Sequence, residues 1–587
     1  MFTTRPEIAG TFGVVATTHW LASAVGMAVL ERGGNAFDAA CATGFTLQVA
    51  EPHLNGPGGD APIIIHSATS GTQHVICGQG TSPSAATLDA FEKLGLDLIP
   101  GTGFLPAVVP GAFGAWCRLL RDWGTWELAE ILEFAIGYAK NGVPLVPRIS
   151  ATIETMRPLF EAEWPTSAAV FLPHGKPPRL DTPFRNPRLG ETYERILREA
   201  VGATREARIE AAERAWYQGF VAESVGRFFG LEPVLDASGR RHRGLLTAQD
   251  FSTWHATVED PVAFDYHGHT VLKCGAWSQG PAFLQQLALL AGFDLAAMDP
   301  IGPDFVHTIT ECAKLAFADR EAYYGDVPDV PLNTLLSPAY NDQRRRLVSA
   351  DASLALRPGA IDGQTPWVDH HAAERTGLFT AGSGEPTVSR LGVSGGDTVH
   401  IDVIDRWGNM VSATPSAGWL QSSPVVPDLG FPMGSRGQMF WLKPGLPNSL
   451  APKKRPRTTL SPSFALRDGK PWMAFGTPGG EQQDQWSLTF FVRMVNHRLG
   501  IQQAIDLPSF HSEHWPSSFW PRAARPGKLV LEGRFPRATL DALLARGHRA
   551  ELGEDWSEGR LSAARTEGDL LYAGANPRGM QGYAVGR

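Results

Sequence analysis

Cysteine is scarce in this chain: five in 587 residues, at Cys41, Cys77, Cys117, Cys274 and Cys312. The number is odd, the spacing is wide and no CxxC occurs, so neither a disulfide framework nor a thiolate zinc site is supported. A reducing compartment suits such a composition. Long apolar runs are missing as well. No stretch approaches the roughly 20 apolar residues of a membrane helix. The amino terminus, MFTTRPEIAG, carries Arg5 and Glu7 and no apolar signal core. The chain therefore reads as soluble and cytoplasmic, with no membrane partner. Basic clusters are lacking: the formal net charge is -8 and the charges are dispersed. Nucleic acid is not expected as a partner. Two Gly-rich stretches, NGPGGD and GTPGGE, lack the Lys-Ser/Thr that follows in a phosphate loop, so no nucleotide and no other cofactor is expected. There is no internal repeat and no low-complexity tract.

What is present is a long chain with 43% hydrophobic residues, enough for a sizeable core. The early part reads as α/β. In HWLASAVGMAVLERGG, Leu21, Val25 and Val29 recur at helical spacing, and Gly33-Gly34 is a stop signal. Asn35 is placed to cap a second helix that Pro52 ends. APIIIH reads as a strand. Amphipathic helices are expected around PGAFGAWCRLLRDWG, LAEILEFAIGYAKNG and DFVHTITECAKLAFADREAYYG. Residues 351–397 are polar and Gly-rich and read as an exposed loop. From Val399 the period becomes two, with Val399, Ile401 and Val403 on one side and His400, Asp402 and Ile404 on the other. DRWGN turns the chain into a second strand, MVSA. RPRTTLSPSFALRDGKPWMAFGTPGGE reads as a further hairpin running into a Gly-rich loop, and QWSLTFFVRMVNHRLG as a helix.

The junction Asp397-Thr398 stands where loop becomes strand. If that peptide bond breaks, Thr398 carries a free α-amine beside its own hydroxyl. A threonine alone is a weak nucleophile. A neutral α-amine, with an ordinary pKa of roughly 7.7–8.0, is a usable base. One residue then supplies both nucleophile and general base. The same hydroxyl can make the cut, by attacking the Asp397 carbonyl to give an ester that water opens.

Five stretches together carry a family resemblance. They are VATTHWLASAVGMAVLERGGNAFDAACA, EPHLNGPGGD, AFADR, GGDTVHIDVIDRWGNMVSAT and LAPKKRPRTTLSPSFALRDGKPWMAFGTPGG, spread over most of the chain. In this the chain resembles the γ-glutamyltranspeptidase family of N-terminal-nucleophile hydrolases. The resemblance implies an α/β (α+β) fold, one integrated four-layer αββα sandwich. It also implies a proenzyme cut into a large subunit, 1–397, and a small subunit, 398–587, which stay associated. By position Thr398 matches the nucleophile. Ser416 falls where the family usually has a threonine bonded to it, and Gly479 and Gly480 match the pair whose amides form the oxyanion hole. Thr458 and Thr459 fall at a serine pair lining the pocket. Two positions depart. Gln79 stands where the family's glutamyl-binding arginine belongs, and Met439 where an aspartate holds the substrate's α-ammonium. Each such charged hydrogen bond is worth about 1.5–3 kcal/mol. Arg436, close by, is a candidate for holding a different anion.

The expected function is therefore a hydrolase or acyltransferase that cleaves an amide through an acyl-threonine, on an acyl group other than plain γ-glutamyl. A genuine γ-glutamyltransferase or glutathione hydrolase, a C–C bond hydrolase of a natural-product pathway and an uncleaved binding scaffold remain as alternatives. Rival motifs are weaker. GVSGG puts Ser394 in a G-x-S-x-G, but a polar loop precedes it and a strand follows, the wrong context for a nucleophile elbow. His370, His371 and Glu374 lack metal-ligand spacing and read as a solvated loop, so no metal is expected. His19 and His53 read as structural.

Overall fold

The computed structural model of the protein describes residues 2–377 and 398–587. Asp397 and Ser394 lie outside the described residues. The early helices start where their caps require. His19 accepts a hydrogen bond from the Leu21 amide and opens Trp20–Glu31. Asn35 and Asp38 form a reciprocal capping box at the head of Ala36–Ala50. The helix expected near residue 304 runs Pro303–Tyr323, and QWSLTFFVRMVNHRLG forms most of Gln483–His497.

Two seven-stranded sheets form the centre. The first runs Ile8–Gly10, Leu570–Ala575, Ser562–Glu567, Lys470–Gly476, Ser463–Arg467, His269–Lys273, Val262–Tyr266. The second runs Tyr583–Gly586, Gly13–Thr17, Ile401–Asp405, Met410–Ala413, Ala61–Ser67, Thr72–Gly78, Thr257–Glu259. Every neighbouring pair in both sheets is antiparallel.

The alternation of strand side chains explains the layers. Val14, Ala16, Ile64 and Ile404 of the second sheet pack between the sheets against Leu272, Phe464, Ala474 and Ala564 of the first. The intervening Val15, Ile63, Ile65, Ile401 and Val403 face an outer layer that includes helices Trp20–Glu31, Ala36–Ala50 and Ala112–Trp123. On the far side, Val271, Ala465, Met473 and Phe475 meet helices Gly280–Leu290, Pro303–Tyr323 and Gln483–His497. The result is the four-layer αββα sandwich of the N-terminal-nucleophile hydrolases.

Regular strand begins at Ile401, two residues after the period-two pattern does. The polar side of that pattern faces the inter-sheet space, not water. His400 Nε2 lies 2.9 Å from Asp402 Oδ1, and His400 Nδ1 lies 2.9 Å from Thr414 Oγ1. Ser562 of the other sheet donates to Asp402 Oδ2 at 2.8 Å. Two polar residues are thus buried at little cost, because each finds a partner. Among the described residues no helix is long and apolar enough to cross a membrane.

Candidate active site

Thr398 stands at the head of the central Ile401–Asp405 strand of the second sheet. It forms an antiparallel bridge with Ser416, and the Val399 amide donates to the Pro415 carbonyl at 3.0 Å. This backbone pairing brings Thr398 Oγ1 to 3.1 Å from Ser416 Oγ. Ser416 is held from its other side by Asp60, through reciprocal backbone bonds of 2.8 and 3.0 Å. The glycines of NGPGGD make that approach possible. A Cβ on Gly59 would sit 2.1 Å from the Ser416 carbonyl oxygen.

Gly479 and Gly480 follow the Lys470–Gly476 strand, whose Phe475 carbonyl accepts a 3.3 Å bond from Ser412 Oγ on the second sheet. Gly479 has φ +126, a conformation that disfavours any side chain, and a Cβ there would come 2.7 Å from the Trp486 ring. Gln279 ties this loop to Thr458. Its Nε2 donates to the Gly480 carbonyl at 3.1 Å and its backbone amide to the Thr458 carbonyl at 2.9 Å. Thr458 Oγ1 accepts from the Leu460 amide at 3.3 Å, whereas buried Thr459 Oγ1 has no hydrogen-bond partner among the described residues.

Asp60 connects the Thr398–Ser416 pair to the residues expected to read the acyl group. Its Oδ2 accepts from Arg436 Nε at 2.9 Å, and both side chains are 1% exposed. Arg436 is thus a buried, paired cation and not a surface charge. Burial pushes the Asp60 carboxyl up from its ordinary range, while Arg436 pulls it down. The other oxygen of Asp60 accepts from the Gly80 amide at 3.4 Å, next to Gln79. Buried Gln79 leaves its Oε1 without a partner among the described residues. Met439 packs in an apolar cluster with Ala417, Trp419 and Phe519, its sulfur 3.9 Å from Arg436 Nη1.

The structure therefore brings Thr398, Ser416, Asp60, Arg436 and Met439 into one run of contacts, and Gly480 and Thr458 into a second run joined by Gln279. Thr398 itself is 2% exposed. A cavity of about 350 Å³ opens beside Gln79, lined also by Trp254, His255, Glu259, Asp326 and Arg455. Of the candidate residues it touches Gln79 alone. Sequence reasoning missed Asp60, although it closes the NGPGGD stretch already singled out. It also missed Gln279, Trp419 and Phe519, which no local motif marks.

The rival motifs contribute little. His371 and Glu374 are solvated, with side chains 77% and 74% exposed. His19 is the helix cap described above and His53 is buried. Among the described residues, His307, Glu311 and His548 form a cluster of metal-type donors. Its two histidines bond to each other at 2.9 Å, and Lys314 Nζ donates to Glu311 Oε1 at 2.6 Å, so these donors are already engaged within the protein.

A family model described as gamma-glutamyltranspeptidase matches residues 22–586. The chain is 30% identical to the glutathione hydrolase-like YwrD proenzyme of Bacillus subtilis (strain 168), with 99% of each chain covered. It is 31% identical to the acylase ACY 1 proenzyme of Pseudomonas sp. (strain V22), covering 92% of this chain and 87% of that one. Among solved structures, that of LmbA2991HD superposes with a TM-score of 0.94 at 54% identity, over 100% of both chains.

Proposed function

The chain belongs to the gamma-glutamyltranspeptidase family of enzymes, and from that premise we propose that it is an amide-cleaving proenzyme which cuts itself before Thr398. In the maturation step Thr398 Oγ1 attacks the Asp397 carbonyl, the C–N bond breaks, and water opens the resulting ester. The products are a large subunit, 1–397, a small subunit, 398–587, and a free α-amine on Thr398. That amine then takes the proton from Oγ1 as the oxygen attacks the substrate carbonyl. The amide hydrogens of Gly479 and Gly480 bind the negative charge that develops on the carbonyl oxygen. The proton passes to the departing amine, and water or another amine releases the acyl group from Thr398.

The observation that carries this reading is the 3.1 Å contact between Thr398 Oγ1 and Ser416 Oγ at the head of a buried central strand. Ser416 fixes the direction of a hydroxyl that would otherwise rotate. The acyl group is one other than plain γ-glutamyl. Gln79 offers no guanidinium fork to a carboxylate, and Met439, in its apolar cluster, offers nothing to an ammonium. The acylase relative supports this direction. The glutathione hydrolase-like relative favours a second reading, in which γ-glutamyl compounds are still turned over. All five cysteines are buried and unpaired, which suits a cytoplasmic setting.

Thr398→Ala tests the reading. The variant is expected to run as one uncut chain and to lose amide turnover, beside a wild type that gives two unequal fragments. Amide turnover by the uncut variant at the wild-type rate would contradict it.

A further inference from the structure

Two consecutive glycines have the least restricted backbone a chain can offer, so the directions of the Gly479 and Gly480 amides must be set by their surroundings. Both residues stand at positive φ, +126 and +48. Neither amide finds a hydrogen-bond acceptor among the described residues. Their directions follow from the carbonyls instead. A trans peptide is planar, and its C=O and N–H point to opposite sides. Each pinned carbonyl therefore aims the next amide the other way.

Three carbonyls in a row are pinned. The Pro478 carbonyl accepts from Thr477 Oγ1 at 2.9 Å. The Gly479 carbonyl accepts from the Gln482 amide at 2.7 Å. The Gly480 carbonyl accepts from Gln279 Nε2 at 3.1 Å. The second bond sets the Gly480 N–H, and the turn itself makes it. The first sets the Gly479 N–H, and a side chain makes it.

That side chain is held from outside the loop. Thr477 is 0% exposed. Its Oγ1 accepts from the Arg560 amide at 3.2 Å. A hydroxyl has one hydrogen to give. The Arg560 amide can only donate, so that hydrogen goes to the Pro478 carbonyl. The β-branch of threonine restricts rotation about χ1. Thr477 follows Gly476, which pairs with Ser562, and Arg560 leads into the Ser562–Glu567 strand. The hydroxyl thus refers the glycine pair to two adjacent strands of the first sheet.

We propose that Thr477 is a positioning residue: by holding the Pro478 carbonyl it aims the Gly479 N–H at the oxygen on which negative charge develops. It acts through the Pro478-Gly479 peptide and not on the substrate. This rests on the reading of Thr398 given above. A donor aimed in advance needs no reorganisation as the charge forms, so the benefit falls on kcat.

The test uses cut enzyme and pentanoyl-p-nitroanilide. Thr477→Val keeps the shape and removes the O–H. It is expected to lower kcat by on the order of 10- to 100-fold, less than the outright loss of an oxyanion donor, with KM within about twofold of wild type. Thr477→Ser is expected to recover most of that loss. Butylboronic acid bonds Thr398 Oγ1 as the hydroxyl proton passes to the α-amine, and the adduct is tetrahedral. Its affinity for the valine variant is expected to fall by about the same factor as kcat. A cut valine variant with a lowered urea midpoint but wild-type kcat and boronate affinity would overturn this proposal and leave the Thr398 reading intact. Should that variant fail to fold or to be cut, a crystal structure of wild type with the boronate bound decides. A boronate oxygen on the Gly479 amide, with Thr477 Oγ1 on the Pro478 carbonyl, is expected. A Pro478 carbonyl turned away from Thr477 would overturn the proposal. Wild type that is uncut and yet hydrolyses the anilide would overturn the Thr398 reading, and this proposal with it.

Discussion

At the residue scale, part of the site was legible in the sequence and part was not, for a physical reason. Thr398, Ser416, Gly479 and Gly480 stand in stretches whose order along the chain is itself a signature. Asp60 and Gln279 act through partners hundreds of residues away, such as Arg436 for Asp60 and Gly480 for Gln279. Nothing in their immediate neighbours announces those contacts. Gly479 is the residue whose role is most exposed to a single substitution. It combines φ +126 with a side-chain position blocked 2.7 Å away by the Trp486 ring. Gly479→Ala is expected to turn the amide out of line and lower kcat by about 10²–10³, the typical cost of losing one oxyanion donor. Steady-state kinetics on a simple acyl anilide check this. A kcat within twofold of wild type would remove Gly479 from the proposed mechanism.

At the element scale, helices with strong local signals were readable. The Asn35 cap, the Gly33-Gly34 stop and the period of residues 304–325 all correspond to observed boundaries. The order of strands was not readable, because neighbours such as Gly13–Thr17 and Ile401–Asp405 are far apart in sequence. Nor did the alternation from Val399 reveal that both faces are buried, since a buried His400–Asp402 pair looks like a solvent face in sequence. What fixes the Gly479-Gly480 loop relative to the first sheet is also non-local. Lys273 Nζ, on the strand His269–Lys273, lies 2.8 Å from Asp484 Oδ1 on the helix that follows the loop, with both side chains 0% exposed. Ser461 donates to the same oxygen at 2.7 Å. Removing one partner of a buried pair strands the other charge. Lys273→Met is expected to lower stability by about 3–5 kcal/mol, read as a fall in the urea midpoint. An unchanged midpoint would mean that the pair does not anchor the helix.

At the scale of the whole molecule, the sheets explain why a break before Thr398 need not separate the fragments. The first sheet takes Ile8–Gly10, Val262–Tyr266 and His269–Lys273 from residues before the junction and its other strands from after it. The second interleaves Tyr583–Gly586, Ile401–Asp405 and Met410–Ala413 with strands from before it. Parting the two pieces would expose unpaired edges in both sheets and open the core between them. The cut protein is therefore expected to elute as one species under native conditions. The most direct measurement of the central claim is the mass of that species after denaturation. Two masses are expected, matching 1–397 and 398–587, with Thr398 as the first residue of the smaller. A single mass for the uninterrupted chain, in a preparation that hydrolyses amides, would contradict it.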